Sequence, residues 1–430
     1  MPLFVLLLLT ADYQPQTLAV PPFEHTFGFY RASKYYLQLF LGPSFEYRDP
    51  QGIDAVKLKE LNNTKTMRDD DELSAFAVNS GAGQIIYNVG LEAVKSYGNT
   101  KTFNLPKGIA VNPDGFIAVA DFGNRRIVKL RYEKGDLIWL KEIPLGGRPF
   151  DVAFDSKGNL YATDFDQSRV LVFGPDDSPL SSFGVTGHGE GEIYQPMGID
   201  VLDAEAPDNF YHEDFLAIVD NDGRRVSKFT RQGRFLGAQH NSDIGLADSR
   251  FQYVAIDYYA SIYVTDEIND QIHKFDRNLG YVISEGRSGT SRGEFSSPRG
   301  ISISRRFGQV FLSEREGGQY LWIASDAFFV GCFPAAFTAT QPGTTAALYI
   351  TDESVLNVAI YNRMGDRVRD MIQNMKRPAG EFLLIWDGRD DRGELVPPGE
   401  YEFRVNVNTI HGHGRRVKKI VKGSVKCIAS

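Results

Sequence analysis

A pattern of three short apolar segments separated by turns recurs about every fifty residues along most of this chain. Four copies are uninterrupted, and in two others an insertion separates the first two apolar segments, over residues 58–71 and 202–214. The uninterrupted copies read PKGIAVNPDGFIAVADFGNRRIVKL, RPFDVAFDSKGNLYATDFDQSRVLVF, FQYVAIDYYASIYVTDEINDQIHKF and SPRGISISRRFGQVFLSEREGGQYLWI. Such units have to pack against one another, because none can bury both of its faces alone.

Each unit predicts β structure. The first segment is small and apolar, the second alternates apolar and polar residues, and the third follows a four-residue turn. The stretch between units supplies a fourth, more variable strand. The 42 glycines and 20 prolines between the apolar segments fit a chain with many turns. Four antiparallel strands repeated six times indicate an all-β fold, a six-bladed β-propeller.

The repeat also resembles a known family. Its pattern P-x-G-I-A-V-x-x-x-G-x-x-x-V-A-D-x-x-N-x-R-I is similar to that of NHL-repeat propellers. The links SFGVTGHGEGEIYQP and SEGRSGTSRGEFSSP resemble that family's glycine-rich connection between blades. The resemblance covers residues 30–333 and implies a closed ring. Residues 35–42 (YYLQLFLG) are expected to complete the last blade, with residues 327–333 (AFFVGCF) as the alternative.

Residues 334–430 follow another pattern. The stretch from Ala379 to Val405 matches A-G-x-x-x-x-x-W-D-G-x-D-x-x-G-x-x-x-x-x-G-x-Y-x-[FY]-x-[VA], which resembles the FlgD-like immunoglobulin-like domain of the flagellar hook-capping type. The resemblance implies a C-terminal Ig-like β-sandwich, in which Trp386 and Tyr401 are expected to anchor the core. A calcium site in its acidic loop would lack the regular D-x-D-x-D-G spacing. The carboxylates expected to form turns there are Asp387, Asp390 and Asp391.

A pair of polar residues recurs at the turn after the second segment. An acidic or amide residue ends that segment, and Arg or Gln follows five positions later in every copy. Five residues across a tight turn bring the two side chains together, and a catalytic pair would be needed only once, so we interpret the pairs as structural. They are Asp121 with Arg126, Asp164 with Arg169, Asp220 with Arg225, Asp266 with Gln271, Asn79 with Gln84, and Glu314 with Gln319.

A second aligned set is the better candidate for binding. The residue before the glycine of the first segment, or its equivalent, should lie where the innermost strands begin, at the mouth of the central channel. Cationic, amide and apolar side chains converge there, which suits an anionic or sugar-like ligand. The alternative is a channel that holds only water. The six residues are Gln51, Lys107, Phe150, Met197, Gln252 and Arg299.

The resemblance brings enzymatic precedents. It implies comparison with an amidating lyase that uses axial histidines and a metal, and with six-bladed lactonases that hold calcium through axial carboxylates and amides. None of the seven histidines occupies a mouth position, so neither ligand set is carried over. The sequence contains no phosphate-loop or H-E-x-x-H motif and no G-x-S-x-G nucleophile elbow, since its stretch GTSRG lies in a glycine-rich link. We assign no catalytic residue, no metal ligand and no cofactor; calcium stays open without a motif to support it.

The two ends of the chain bear on its location. Residues 1–11 resemble the remnant of a signal peptide, with an apolar core from Leu3 to Leu9 that is too short to span a bilayer. A buried N-terminal strand is the alternative. Cys332 and Cys427 form either a disulfide or two buried thiols. We expect a secreted, cell-surface or periplasmic protein without a membrane span.

Charge excludes one class of partner. A net charge of −8 argues against nucleic-acid binding, and the basic stretch GRRVKKIVKGSVK is expected to be a solvated strand face. We expect an exported, non-catalytic binding or scaffold protein that recognises a protein or a cell-surface glycan. The insertions are either specificity loops or polar linkers. The C-terminal domain would serve attachment, self-assembly or surface sorting. The alternative function is a hydrolase or lyase acting at the channel mouth, with calcium as an open question.

Overall fold

The computed structural model describes residues 19–20, 31–61, 73–90, 93–410 and 418–429. The chain divides into two compact units. One runs from Pro21 to Trp322, and the other comprises Ile323–Ser430 together with Met1–Val20. The predicted signal remnant, residues 1–11, and most of the first insertion, residues 62–72, lie outside the described residues. None of the described helices is long and apolar enough to cross a membrane.

The first unit consists of six antiparallel blades, as the repeat predicts. A short strand, Ala19–Val20, precedes them in the chain. From the innermost strand outward, the blades contain the following strands: Pro50–Lys57, Leu73–Asn79, Gln84–Val89 and Ala93–Tyr97 in blade 1; Ile109–Val111, Phe116–Asp121, Arg126–Glu133 and Asp136–Pro144 in blade 2; Pro149–Phe154, Leu160–Asp164, Arg169–Phe173 and Pro179–Phe183 in blade 3; Ile199–Leu202, Phe215–Asp220, Arg225–Phe229 and Phe235–His240 in blade 4; Phe251–Ile256, Ile262–Asp266, Gln271–Phe275 and Tyr281–Glu285 in blade 5; Pro298–Ser304, Gln309–Glu314, Gly317–Ile323 and Arg31–Ser33 in blade 6.

Apolar clusters between neighbouring blades hold the ring together. One cluster joins Phe76 and Ile85 of blade 1 to Val119 and Val128 of blade 2, all buried. Similar clusters join blade 2 to blade 3 and blade 3 to blade 4. Single 3-10 turns occur at Lys59–Leu61, Ser80–Ala82, Phe122–Asn124 and Asn241–Ile244. Each sheet therefore buries both faces only because it has a neighbour on either side.

The N-terminal segment closes the ring, but not with the predicted residues. The innermost strand of blade 6 contacts that of blade 1, and Arg31–Ser33 pairs antiparallel with Gly317–Ile323 as the fourth strand of blade 6. The predicted strand over residues 35–42 is instead a helix, Lys34–Leu41. The side chain of Ser33 caps it by accepting a hydrogen bond from the N–H of Tyr36 at 3.2 Å. The helix buries Leu37, while Tyr35 and Phe40 stay exposed.

The second unit is a β-sandwich. One sheet contains, in order, Ala327–Phe333, Thr344–Ile350 and Gly380–Trp386. The other contains Ala336–Thr338, Lys418–Ile428, Gly399–Thr409, Ser354–Asn362 and Arg367–Arg377. The alternative segment for closing the propeller, residues 327–333, belongs to this sandwich because it pairs with Thr344–Ile350. The unit accordingly begins at Ile323, before the Pro334 expected from the sequence.

Aromatic residues fill the core of the sandwich. The ring centroids of Trp386 and Tyr401 lie 5.4 Å apart, and both side chains are buried. Cys332 and Cys427 share this core as free thiols, and burial raises the pKa of Cys332 to about 11. In the acidic loop, the side chain of Asp390 accepts hydrogen bonds from the N–H groups of Arg392 and Glu394. Its carboxylate thus caps a turn.

Candidate functional site

Most of the polar pairs are hydrogen-bonded across the turn after the second strand, and the pair of blade 4 also binds the glycine-rich link that precedes it. Arg225 donates to Asp220 at 2.7 Å and also to the carbonyl oxygens of His188, Gly189 and Glu192. Arg126 bonds to Asp121 at 2.8 Å and Arg169 to Asp164 at 3.3 Å. Asn79 bonds to Gln84, and Gln319 to Glu314. These bonds explain why the spacing of the two residues never varies.

The fifth pair does not form the expected contact. Gln271 donates to the carbonyl oxygen of Gly286 at 3.4 Å, while Asp266 bonds to His273 at 3.2 Å and to Asn269 at 2.8 Å. Burial acts to raise the pKa of Asp266, but these hydrogen bonds lower it to about 2. The fully buried His273 lies two residues beyond Gln271 on the same face of the strand, so it takes the place of an arginine.

The channel mouth is a network of paired charges. Asp49 contacts Arg299 and lies 3.7 Å from Nζ of Lys107, and it accepts a hydrogen bond from Gln51 at 2.9 Å. Arg299 also lies 3.4 Å from Glu267. Burial acts to raise the pKa of Asp49, yet the two cations beside it lower that pKa overall. Three of the predicted mouth residues, Gln51, Lys107 and Arg299, are therefore brought together around a carboxylate that sequence reasoning missed.

Tyr253 spans the channel just beneath this network. It starts from the innermost strand of blade 5, and its hydroxyl lies 3.0 Å from Oε1 of Gln51 and 3.1 Å from the carbonyl oxygen of Lys107. Blades 5 and 2 face each other across the ring of six blades, so the side chain of Tyr253 crosses the central axis. Its burial raises the pKa of Tyr253 well above the ordinary value, which keeps the hydroxyl neutral.

The other three predicted mouth residues lie to the side of this network. The Phe150 ring is buried, with its centroid 5.6 Å from that of Tyr253. Met197 is buried, and its carbonyl oxygen accepts a hydrogen bond from Thr163. Oε1 of Gln252 is buried without a hydrogen-bond partner among the described residues. The mouth residues thus form no single open ring.

A cavity of about 170 Å³ lies on the other side of Tyr253, along the axis. Asp54, Asp151 and Asp200 line it, together with Ser302 and Arg305. Its volume is large enough for several water molecules. The innermost strands run from the mouth towards this cavity, so it lies on the side of the propeller where the connections between first and second strands begin.

The cavity carboxylates also join neighbouring blades. Asp54 accepts a hydrogen bond from the N–H of Val111 at 2.7 Å, and Asp200 accepts one from Ile256 at 2.8 Å. Asp151 accepts one from Ile199 at 3.1 Å. Each bond runs from one innermost strand to the next around the ring. The three side chains therefore stabilise ring closure.

Burial changes the protonation of two of these groups. Burial raises the pKa of Asp54 to about 6, against hydrogen bonds that lower it, and Asp200 raises it further. Burial also raises the pKa of Asp151 well above its ordinary value. Arg305 offsets part of the negative charge, since its Nη2 lies 3.0 Å from Asp200. The cavity can accept hydrogen bonds from hydroxyl or amino groups of a small polar ligand.

The carboxylates do not fit a calcium ion. Calcium needs six to eight oxygen ligands that converge on one point. Here one oxygen of each carboxylate is held by a backbone N–H, Asp54 also bonds to Ser302, and the Arg305 guanidinium already lies beside Asp200. Within the described ranges, no three His, Cys, Asp or Glu side chains are grouped so that they could hold a metal ion.

The second insertion, residues 202–214, folds as an ordered loop. Its anchor is the buried Asn209, whose Nδ2 donates to the carbonyl oxygens of Asp203 and Glu213, each at 2.8 Å. The next residue, Phe210, donates its N–H to the carbonyl oxygen of Tyr258 in the adjacent blade. These contacts hold the loop in a defined conformation against the adjacent blade.

An aromatic cluster sits on this loop. The Phe210 ring lies 4.9 Å from Tyr211, 5.7 Å from Tyr258 and 5.4 Å from Tyr259, measured between centroids. Phe210 remains 42% exposed. Arg277 stacks on Tyr211 at 4.2 Å. The loop therefore holds a rigid apolar ring at the surface, on the same side of the propeller as the axial cavity.

Two family profiles match the chain. The NHL repeat matches residues 103–130, and the FlgD Ig-like domain matches residues 335–410. Residues 103–130 are therefore an NHL repeat within the propeller, and residues 335–410 are a FlgD Ig-like domain. The two expected family resemblances are confirmed, and so is the expected all-β fold class.

Solved structures similar to the NHL propeller share little sequence with it. A virginiamycin B lyase from Staphylococcus aureus is 15% identical with a TM-score of 0.42, over 59% of this chain and 78% of that one. A gluconolactonase from Xanthomonas campestris is 14% identical with a TM-score of 0.47, over 72% and 99%. A protein from Bacteroides thetaiotaomicron is 13% identical with a TM-score of 0.45, over 65% and 70%. None of these likenesses carries an argument about activity.

Sequence reasoning missed the residues that shape the channel, although a signal was present. Asp151 and Tyr253 occupy the position that holds glycine in the other four innermost strands. Gly108 shows why glycine recurs there, because a Cβ atom would lie 2.2 Å from Oδ1 of Asp151. Large side chains at a crowded, glycine-lined position must project into the channel. No comparable feature of the sequence indicated that Asp49 and Glu267 would lie at the channel mouth.

Proposed function

We propose that this NHL propeller belongs to an exported, non-catalytic binding protein, which recognises a protein partner with the face that carries the connections between first and second strands. The observation that carries the proposal is the ordered loop over residues 202–214, which holds Phe210 partly exposed against three tyrosine rings. A rigid aromatic ring needs little ordering on binding, so its burial contributes directly to affinity.

Charges around Phe210 support a protein partner. Glu213 lies 3.2 Å from Lys228 and 3.1 Å from Arg277, and Asp214 pairs with Arg231 at 2.5 Å. An apolar centre surrounded by paired polar groups is the common anatomy of a protein interface, where aromatic residues provide most of the binding energy. A glycan could also stack on Phe210, and the experiment below separates the two.

The alternative function, a hydrolase or lyase at the channel mouth, gains no support from the geometry. Lys107 and Arg299 are each held by Asp49, and Tyr253 spans the channel immediately behind them. A substrate at this point would have to break several charge-assisted hydrogen bonds before it met a reacting group. The proposal of a small ligand held by the six mouth residues stays a prediction.

The test compares two surface variants of the full chain. Phe210→Asp and Leu236→Asp change side chains that are both 42% exposed, and Leu236 lies on the outer strand of the same blade. Each variant and the unchanged chain would be used to capture proteins from an envelope extract of the source organism and to probe a glycan array. We expect Phe210→Asp alone to lose a captured protein, by about thirtyfold in affinity.

Two results would contradict the proposal. If Phe210→Asp captures the same proteins as the Leu236→Asp control, the loop is not the recognition site. If the array shows a glycan whose binding depends on Phe210 while no captured protein does, the partner is a glycan. Export remains part of the proposal, and detection of the chain in the envelope fraction or the medium is its test.

We also propose that the FlgD Ig-like domain serves attachment, assembly or surface sorting. The basic stretch GRRVKKIVKGSVK supports attachment only through its charges. Two of its lysines are paired with the adjacent strand: Lys422 lies 3.3 Å from Glu402, and Lys426 lies 3.3 Å from Glu400. A different surface of this domain is the subject of the next inference.

A further inference from the structure

The two sheets of the sandwich have four edges between them, and the edges differ in how open they are. An edge strand presents unpaired N–H and C=O groups, so it can pair with a strand of another chain. Proteins protect such edges with short strands, charged side chains or β-bulges. The four edge strands are Ala327–Phe333, Gly380–Trp386, Ala336–Thr338 and Arg367–Arg377.

Three of these edges are protected. Ala336–Thr338 is only three residues long. Arg367–Arg377 carries several cationic side chains, and its pairing with Ser354–Asn362 is interrupted by three register shifts. Ala327–Phe333 contains a bulge between Phe329 and Gly331. Irregularity, charge or short length prevents another strand from pairing along each of them.

The edge strand Gly380–Trp386 has no such protection. It pairs with Thr344–Ile350 residue for residue from one end to the other, without a register shift. No strand of the described chain pairs with its other side. Its outward side chains include Leu383, which is 52% exposed, and Ile385, which is 76% exposed. Glu381 is the only charged residue in the strand.

Smaller side chains lie beside these two on the neighbouring strand. Ile385 lies opposite Thr345. In the next row, Leu383 lies opposite Ala347. The outward face of the other sheet is different in kind, because lysine and glutamate side chains pair across it. Among the described edge strands, Gly380–Trp386 therefore combines regular pairing with strongly exposed apolar side chains.

We propose that the edge strand Gly380–Trp386 pairs antiparallel with the same strand of a second copy of this chain. The strand is self-complementary about its central residue, Leu383. Pairing about that centre places Leu383 opposite the partner's Leu383 and Glu381 opposite the partner's Ile385. No two like charges face each other, and the two exposed leucines bury one another. The two sheets join into one six-stranded sheet across a two-fold axis.

The register makes a specific test possible with the full-length chain. Leu383→Lys places two lysines opposite each other, and Leu383→Glu places two carboxylates opposite each other. We expect each variant alone to dimerise at least about tenfold more weakly than the unchanged chain, because like charges directly opposite are destabilising. An equimolar mixture of the two should recover a heterodimer. Sedimentation equilibrium and native mass spectrometry would measure both results.

Ile420→Lys is the matched control. Ile420 is 58% exposed on the outward face of the other sheet, so this variant should dimerise like the unchanged chain. Thermal unfolding would establish that all variants are folded. The inference is overturned if the unchanged chain stays monomeric at high concentration, or if the mixture gives no heterodimer. It is also overturned if the amides of Gly380–Trp386 that point away from Thr344–Ile350 resist hydrogen exchange in a monomer, since another segment of the same chain would then cover the edge.

Discussion

The polar pairs at the blade turns differ in how deeply they are buried. This difference decides how much each pair contributes to the free energy of unfolding. Asp220 and Arg225 are 0% and 1% exposed, whereas Arg169 beside Asp164 is 33% exposed. A buried ion pair becomes costly once one partner is removed, because the remaining charge has neither water nor a counter-ion. Equivalent positions in the repeat therefore need not be equivalent in energy.

Arg225→Ala should lower the free energy of unfolding by about 3–5 kcal/mol, because it leaves Asp220 buried and unpaired. It also removes three bonds to the link before blade 4. Arg169→Ala is the matched comparison and should cost about 1 kcal/mol, because the partly exposed position of its guanidinium lets water reach Asp164, which is itself buried. Chemical denaturation followed by circular dichroism would measure both values. Equal losses would show that burial does not control the contribution of these pairs.

The axial carboxylates should make stability depend on pH. The pKa of Asp54 is raised to about 6 in the folded protein from an ordinary value of 3.8. The folded chain thus holds this proton more tightly than the unfolded chain. Its contribution to the free energy of unfolding is fully present below about pH 4 and is lost as the pH rises through about 6, a change of about 3 kcal/mol.

Asp54→Asn should remove this part of the pH dependence. The observable is the slope of the unfolding free energy between about pH 4 and 6.5, which is insensitive to any constant effect of the substitution. Asp114→Asn, at an exposed turn of blade 2, should leave the slope unchanged. If Asp54→Asn and Asp114→Asn give the same slope, the carboxylate of Asp54 titrates normally in the folded protein.

At the scale of single elements, neighbouring segments decided what local sequence left open. The stretch over residues 35–42 is rich in aromatic and aliphatic residues, which favours a strand. It forms a helix because Ser33 caps its first turn and Leu37 packs with Phe45 and Ile86. The strand that closes blade 6 is only Arg31–Ser33, too short to show any periodicity.

The strands themselves were more predictable than their roles. Short segments rich in apolar residues and bounded by turns located the second and third strands of the blades. Nothing in the alternation of Gly380–Trp386 indicated whether another strand would lie beside it. An open edge is a property of the whole sheet, and it becomes visible only when the strand order is known.

At the scale of the whole molecule, each unit has its own apolar core. Both cysteines lie in the core of the sandwich, so their reactivity reports on that unit alone. Gly423 lies in the same unit, where a Cβ atom would be 2.0 Å from Cε1 of Phe329. A defect at Gly423 should therefore be detected by the thiols without any change in the propeller.

Gly423→Ala should destabilise the sandwich by about 1–3 kcal/mol, because the added methyl group forces Phe329 to move. In pulsed thiol labelling, Cys332 and Cys427 should react at a lower denaturant concentration, while hydrogen exchange in the blades stays unchanged. Gly237→Ala in blade 4 is the control, since its nearest neighbour would be 3.5 Å away, an ordinary contact. If the blades of Gly423→Ala exchange faster too, the two units do not unfold separately.

The sequence by itself determined the six-fold repeat, the all-β class, the family of each domain and the spacing of the polar pairs. These features are local and repeated, so each copy supports the interpretation of the others. Only the tertiary structure decided that Asp49 holds Lys107 and Arg299, that Tyr253 spans the channel, and that Gly380–Trp386 is left open. Those contacts join residues far apart in the chain, and their formation depends on how the ring and the sheets close.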